Sequence, residues 1–65
     1  MKVKYDKETD ILRITFSDSP IKESDEEKPG LILDYDKEGK VVSIEILDAS
    51  KNMTNPSSVE IDVAI

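Results

Sequence analysis

Apolar residues recur at every second position along most of the chain, and this alternation limits the possible folds more than any other feature. Successive side chains of a β-strand point to opposite faces of a sheet, so a period of two is typical of strands with one buried face. The sequence does not sustain the 3.6-residue period of an amphipathic helix. The alternating segments are 3–5, 12–16, 31–35, 42–46 and 59–65.

Polar turns between these segments indicate how the strands pair. Segment 6–10 (DKETD) separates the first two and predicts a hairpin. A second hairpin is expected to close at 37–40 (KEGK), where Gly39 supplies the positive φ of the turn. One register places the apolar residues of this hairpin on a single face, with Tyr35 opposite Val42, Leu33 opposite Ile44 and Leu31 opposite Ile46.

These patterns predict a mainly β fold, with a small α+β fold as the alternative. The expected architecture is a single antiparallel sheet of two hairpins plus a C-terminal strand at 57–65. At most one short helical turn is expected near residues 48–53, with Asp48 or Ser50 as its N-cap. The length of the chain corresponds to one small domain, 1–65.

The small size of the domain favours association with a second chain. A chain of 65 residues hides only about 60% of the surface that its unfolded form exposes. There is no cysteine, so disulfides cannot reinforce the fold. A homodimer is therefore one expected assembly. The strand at 57–65 is predicted to cover a sheet edge, either within its own chain or by exchange with a second chain.

The acidic composition restricts the partners. Fifteen acidic and nine basic residues give a net charge of −6, which repels phosphate backbones and predicts no direct binding of nucleic acid. The charge could serve solubility alone, or it could attract a small basic protein. Segment 17–29 carries acid without apolar periodicity and is predicted to be an acidic loop or an edge segment.

The hydropathy pattern predicts a cytoplasmic protein without membrane contact. No apolar run approaches the roughly 18 residues of a membrane span. The opening residues, MKVK, lead into an alternating segment rather than a secretion signal. The absence of cysteine is compatible with an intracellular setting.

The residue types needed for common catalytic sites are missing. With no histidine and no cysteine, the chain lacks the usual general base near neutral pH, the thiolate nucleophile and the commonest zinc ligands. No serine lies in a known nucleophile motif, and no glycine-rich phosphate loop is present. We therefore expect a protein that is not an enzyme and that uses no cofactor.

One spacing of carboxylates resembles a calcium-binding loop. Asp34, Asp36, Glu38, Gly39 and Glu45 nearly match the ligand spacing of an EF-hand. An EF-hand loop lies between helices, whereas β-periodicity runs on both sides here. The interpretation is a hairpin with Asp34, Asp36 and Glu45 on its solvent face, and a metal site formed by these three carboxylates is the alternative.

Two features are candidates for contact with a partner. Arg13 is the only arginine, and it could hold a carboxylate across an interface or form a cross-strand ion pair within the sheet. The acidic segment supplies the other candidates. The predicted partner-binding residues are Glu23, Asp25, Glu26, Glu27 and Arg13.

Two stretches of the chain are similar to a known family. MKVKYDKETDILRITFSD and KPGLILDYDKEGKVVSIEILDASK resemble the domain-of-unknown-function family 2283 of bacteria and archaea, over about residues 1–51. The resemblance implies a small β-rich fold without an established activity. Some members are encoded beside small toxin-like proteins, which would make them candidate antitoxins. The strand predicted at 57–65 lies outside the recognised region.

The function predicted from these observations is protein–protein interaction. The protein would associate with itself or bind a small basic partner, with an antitoxin-like role as one form of the latter. The alternative is the binding of a divalent cation or a small ligand through surface carboxylates.

Overall fold

The computed structural model describes residues 1–64, which form one antiparallel sheet of five strands. The elements are β1 (Lys2–Asp6), β2 (Ile11–Thr15), β3 (Glu23–Lys28), β4 (Leu31–Tyr35), β5 (Val41–Ile46) and the helical turn α1 (Ala49–Asn52). The strand order is β1-β2-β5-β4-β3, so β1 and β3 are the edges. The mainly β class, the single antiparallel sheet and the short helical turn are confirmed. No helix within residues 1–64 is long and apolar enough to cross a membrane.

An aspartate that follows a tyrosine closes two of the turns. The Asp6 carboxylate accepts a hydrogen bond from the N–H of Glu8 at 3.0 Å, and Asp36 accepts one from the N–H of Glu38 at 2.9 Å. The aspartate carboxylates thus accept hydrogen bonds from backbone N–H groups that have no strand partner in the turn. The similarity of YDKETD and YDKEGK is explained by this shared turn chemistry.

Glycine and proline shape the turns on both sides of β4. Gly39 has a φ of 79°, which confirms the predicted positive φ in the turn between β4 and β5. Pro29 and Gly30 connect β3 to β4. Proline fixes its φ at about −65°, and Gly30 has a φ of 82°, the combination that a type II turn requires. The acidic segment is therefore turned back onto β4 as a further hairpin.

Two of the three predicted pairs between β4 and β5 are present. The third is wrong, because Tyr35 lies opposite Val41 rather than Val42. A β-bulge shifts the register between Asp34 and Tyr35, and it leaves Val42 as the extra residue on β5. The confirmed pairs are Leu31 with Ile46 and Leu33 with Ile44.

The pairing gives the sheet an apolar face and a polar face. The apolar face holds Val3, Tyr5, Leu12, Ile14, Leu31, Leu33, Ile44 and Ile46. The polar face holds Lys2, Lys4, Arg13, Thr15, Ser24, Glu26, Ile32, Asp34, Ser43 and Glu45. The buried apolar residues among those described are Leu12, Val42 and Ala49. All other members of the apolar face are only half-buried.

The C-terminal strand predicted at 57–65 is not part of the sheet. Residues 57–64 belong to no strand, and Ile65 lies outside the described residues. Val59, Ile61 and Val63 are 54%, 66% and 74% exposed. The fifth strand is β3, formed by the acidic segment, so of the two forms expected for 17–29 the edge segment is present at 23–28. Alternation produces a strand only where another strand is available to pair with it.

Candidate functional site

Five side chains, which we call the polar cluster, meet in the middle of the polar face. Asp34 is 3% exposed and Ser43 is 0% exposed, although aspartate and serine are mostly surface residues. Asp34 accepts hydrogen bonds from the hydroxyl of Ser24, at 2.6 Å, and from the hydroxyl of Ser43. The Arg13 guanidinium lies 3.3 Å from the Glu45 carboxylate and 3.9 Å from that of Asp34. The cluster thus links β2, β5, β4 and β3.

The strand register brings these residues together. Ser24 lies opposite Asp34 and Asp34 lies opposite Ser43, while Arg13 lies opposite Glu45. Residues that face each other across antiparallel strands have Cβ atoms about 5 Å apart, within reach of short polar side chains. The prediction that Asp34 lies on a solvent face is therefore wrong. Its short side chain is enclosed by its neighbours on three strands.

The environment of Asp34 keeps its carboxylate charged. Burial by itself would raise the pKa, because it disfavours the ionised form. Hydrogen bonds from Ser24 and Ser43 and the positive charge of Arg13 act in the opposite direction and outweigh burial, so the pKa of Asp34 lies below its usual value of 3.8. A carboxylate of this kind organises the sheet and is poorly suited to acid–base catalysis near neutral pH.

Arg13 forms the cross-strand ion pair that was one of its two interpretations. Besides Glu45, it contacts the hydroxyl of Ser43 at 3.4 Å. Its side chain remains 42% exposed. The structure does not bring Arg13 next to the acidic candidates, because β5 and β4 lie between β2 and β3. Arg13 therefore belongs with the polar cluster.

The four acidic candidates all lie on β3, but they divide between its two sides. Glu23 lies opposite Tyr35, and Asp25 shares its side of the sheet, which is the side of the apolar face. Glu27 accepts a hydrogen bond from the Tyr35 hydroxyl at 2.8 Å, and this bond raises the pKa of the tyrosine above 10.0. Glu26 lies on the polar face. We call Glu23, Asp25 and Glu27 the acidic border.

The three carboxylates with the calcium-like spacing each bind a different partner within the protein. Asp34 is bound by serine hydroxyls, and Glu45 pairs with Arg13. Asp36 accepts the N–H of Lys40 at 3.0 Å within its turn. Within residues 1–64, no group of three or more Asp, Glu, His or Cys side chains is placed to hold a metal ion.

Asp10 connects the first hairpin to α1. Its carboxylate accepts hydrogen bonds from the Tyr5 hydroxyl at 2.7 Å and from the Ser50 hydroxyl at 2.6 Å. The hydrogen bonds from Ser50 and then Tyr5 lower the pKa of Asp10. Of the two predicted N-caps, Asp48 holds the N-cap position but makes no side-chain capping bond, and Ser50 binds Asp10 instead. Sequence reasoning missed this contact because its two partners lie 40 positions apart in the chain.

An open groove of about 620 Å³ lies between loop 17–22 and the turn at 36–41. Ile21 and Val41 line it together with charged side chains. None of its lining residues is buried. A catalytic pocket usually holds its ionisable groups away from solvent, whereas the ionisable groups that line this groove are not buried.

Comparison with known proteins agrees with the similarity seen in the sequence. The family model described as "Protein of unknown function (DUF2283)" matches residues 2–50. The chain belongs to the DUF2283 family. Neither the curated proteins nor the solved structures contain a match. The DUF2283 region includes all five strands, and with them the polar cluster and the acidic border, whereas residues 51–64 lie outside it.

Proposed function

We propose that this protein is a non-enzymatic cytoplasmic interaction module that binds a basic partner protein through its apolar face and acidic border. The observation that carries the proposal is that the apolar face lacks a covering layer within residues 1–64 while acids line one of its sides. Neither the polar cluster nor the open groove offers comparable support for catalysis.

The apolar face is too large for the elements available to cover it. A sheet with one apolar face becomes stable by packing that face against another layer. Within residues 1–64 the only helix is α1, whose four residues are about 6 Å long, whereas the molecule measures 34 × 33 Å in its longer directions. Ile14, Leu33 and Ile44 accordingly remain half-buried at the centre of the face. A contiguous apolar face that stays partly exposed is typical of binding sites.

The charges beside this face favour a basic partner over a second copy stacked on the same face. Glu23, Asp25 and Glu27 lie on its β3 side, and Lys28 follows them beyond a bulge. At the opposite edge, β1 contributes Val3 and Tyr5 to the apolar face, while its lysines lie on the polar face. A second copy would therefore bring few positive charges to the acidic border. Lysines or arginines flanking an apolar stripe would complement it.

The experiment uses a synthetic helical peptide of leucine and lysine, about 18 residues long, with leucines on one side and lysines beside them. Its binding is measured by fluorescence anisotropy. We expect the double variant Glu23→Lys/Asp25→Lys to weaken binding about tenfold, because it replaces attraction at the border by repulsion. A higher salt concentration should weaken the binding to the unchanged protein.

A matched control variant separates the effect of the acidic border on binding from the effect of net charge. Glu26→Lys/Glu38→Lys changes the net charge by the same amount, but Glu26 lies on the polar face and Glu38 lies in an exposed turn. This variant should bind nearly as well as the unchanged protein. Equal weakening by both variants, or equal binding of a leucine–glutamate peptide, would reject the proposed site.

An antitoxin role is one form of this function, in which the partner is a small basic toxin. It is tested by adding such a protein, encoded beside the gene of this one, to the same pair of variants. The alternative, binding of a divalent cation by Asp34, Asp36 and Glu45, is not favoured by the structure, since two of these carboxylates are already engaged within the polar cluster.

A further inference from the structure

We propose that residues 58–64 of one copy pair with the free edge of β1 in a second copy, so that two chains exchange their C-terminal segments. This inference goes beyond the proposed function, because it uses the β1 edge rather than the acidic border on β3. The two proposals can therefore fail separately.

The C-terminal segment has the pattern of a strand and lacks a partner strand in its own chain. Val59, Ile61 and Val63 alternate with Glu60 and Asp62. Within the described residues 58–64, no backbone hydrogen bond joins this segment to the sheet. The N–H of Ser58 donates to the carbonyl of Asn55, at 3.1 Å. Three exposed aliphatic side chains in a row of alternating positions are costly to leave in water.

The sheet offers two edges, and their charges differ. β3 carries four acids and one lysine (Glu23–Lys28), so it would repel a segment that carries Glu60 and Asp62. β1 presents Lys2 and Lys4, both exposed. Like charges directly opposite each other destabilise a pair of strands, and opposite charges stabilise it. The β1 edge is therefore the one that fits.

The registers of β1 and the segment match residue by residue. In an antiparallel pair that places Ile61 opposite Val3, the acids fall opposite the lysines and the apolar residues extend the apolar face. Every other pair in this sheet is antiparallel. The proposed pairs are Val59 with Tyr5, Glu60 with Lys4, Ile61 with Val3, and Asp62 with Lys2.

The polar face already contains an imbalance that Glu60 would correct. Lys4 lies directly opposite Arg13, so two positive charges are neighbours on adjacent strands. Arg13 is compensated by Glu45, whereas no ion pair among residues 1–64 involves Lys4 or Lys2. A carboxylate on the outer side of Lys4 would pair with Lys4 as Glu45 pairs with Arg13, so each of the two adjacent positive charges would have an acidic neighbour.

Exchange between two copies is favoured over folding back within one chain. Asn55 has a φ of 52°, the Ser58 N–H donates back to the Asn55 carbonyl, and no backbone hydrogen bond joins the described residues 58–64 to the chain's own β1. An extended segment of this length reaches more than about 20 Å, enough to cross to a neighbouring molecule. Exchange also forms two equivalent contacts related by a twofold axis, which closes the assembly as a dimer.

Sedimentation equilibrium with charge-reversed variants tests this contact. Variant one is Lys2→Glu/Lys4→Glu, and variant two is Glu60→Lys/Asp62→Lys. Each alone places like charges in both contacts, so we expect its dimerisation to weaken by about tenfold or more. In an equimolar mixture both contacts become complementary again, and mixed dimers should form.

The mixture of variants one and two distinguishes the proposed contact from a general effect of charge on dimerisation. Lys37→Glu/Lys40→Glu gives the same net charge as variant one at the turn after β4 and should dimerise normally. Circular dichroism checks that each variant keeps its sheet. Recovery of dimers only in the mixture supports the exchange. A monomeric unchanged protein at roughly 100 μM, dimers that persist in both single variants, or a mixture that stays monomeric would overturn it.

Discussion

Asp34 is a charged residue buried in a small sheet, and its neighbours determine whether that is stabilising. Two serine hydroxyls donate to its oxygens and the guanidinium of Arg13 lies 3.9 Å away. Every buried side-chain N or O atom within the described residues has a hydrogen-bond partner. A buried charge that is satisfied in this way fixes the positions of its neighbours, whereas one that loses its partners is costly. The polar cluster therefore sets how β2, β5, β4 and β3 align.

Removing the Asp34 carboxylate should lower the free energy of unfolding by about 2 kcal/mol. In Asp34→Ala the hydroxyl of Ser43, which is fully buried, loses its acceptor, and Arg13 loses one of its carboxylates. Ser24→Ala is the matched control, because Ser24 is exposed and can be replaced by water, and it should cost about 1 kcal/mol or less. Urea denaturation measures both. Equal costs would contradict a central role for Asp34.

Stability should fall in acid because of the same carboxylate. The pKa values of Asp34 and Asp10 are both lowered in the folded protein. A lowered pKa gives stability that is present above the unfolded value, about 3.9, and is lost as the pH falls through the folded value. The free energy of unfolding of Asp34→Asn should therefore depend less on pH below about pH 4 than that of the unchanged protein. Parallel pH profiles for the two proteins would contradict the assignment.

At the scale of elements, β3 and the C-terminal segment show what alternation can predict. β3 is six exposed residues with no apolar alternation, and it is a strand because Pro29-Gly30 folds it onto β4 and Tyr35 and Asp34 bind its side chains. Segment 59–65 has the alternation of a strand and is outside the sheet over its described part. Alternation of apolar residues indicates that a segment could bury one face as a strand. Whether it pairs with another strand depends on the turns and on contacts between residues distant in the sequence.

The same limit explains what was predictable about the site. The hairpin of β4 and β5 was predictable because its turn, its glycine and its apolar positions agree. The polar cluster was not, because it requires the pairing of β2 with β5, which brings together residues 30 positions apart, and of β3 with β4. One signal was present: Ser43 interrupts an otherwise apolar and charged strand, VVSIEI, directly opposite Asp34.

Gly39 should resist replacement by alanine for a reason confined to the backbone. Its φ is 79°, and a Cβ atom placed there would meet nothing within 4 Å. Gly39→Ala should therefore cost about 1 kcal/mol from the positive φ alone, and Gly39→Asn less, because asparagine tolerates this conformation. Thermal unfolding compares the two variants. If alanine and asparagine cost the same, backbone strain is not what the glycine relieves.

At the scale of the whole molecule, the protein is one layer of sheet with unequal borders. β1 has lysines on the polar face, and β3 has acids beside the apolar face. A domain of 65 residues gains little from its own interior, so the contacts proposed above would add appreciably to its stability. The two proposed contacts use different borders, so a dimer formed by exchange still leaves the acidic border open to a basic partner.

Deletion of residues 57–65 should separate the stability of the sheet from that of the dimer. Because residues 58–64 make no hydrogen bond to their own sheet, the shortened chain at low concentration should unfold within about 0.5 kcal/mol of the full chain. An exchanged dimer dissociates on unfolding, so the Tm of the full chain should rise by roughly 3–5 °C for each tenfold increase in concentration. The Tm of the shortened chain should not depend on concentration, since it lacks the segment that pairs.

If both chains show the same concentration dependence, association does not involve the C-terminal segment. If the shortened chain is much less stable at low concentration, the segment pairs with its own β1. Scanning calorimetry over a hundredfold range of concentration distinguishes these outcomes, because only exchange makes the difference between the two chains grow with concentration.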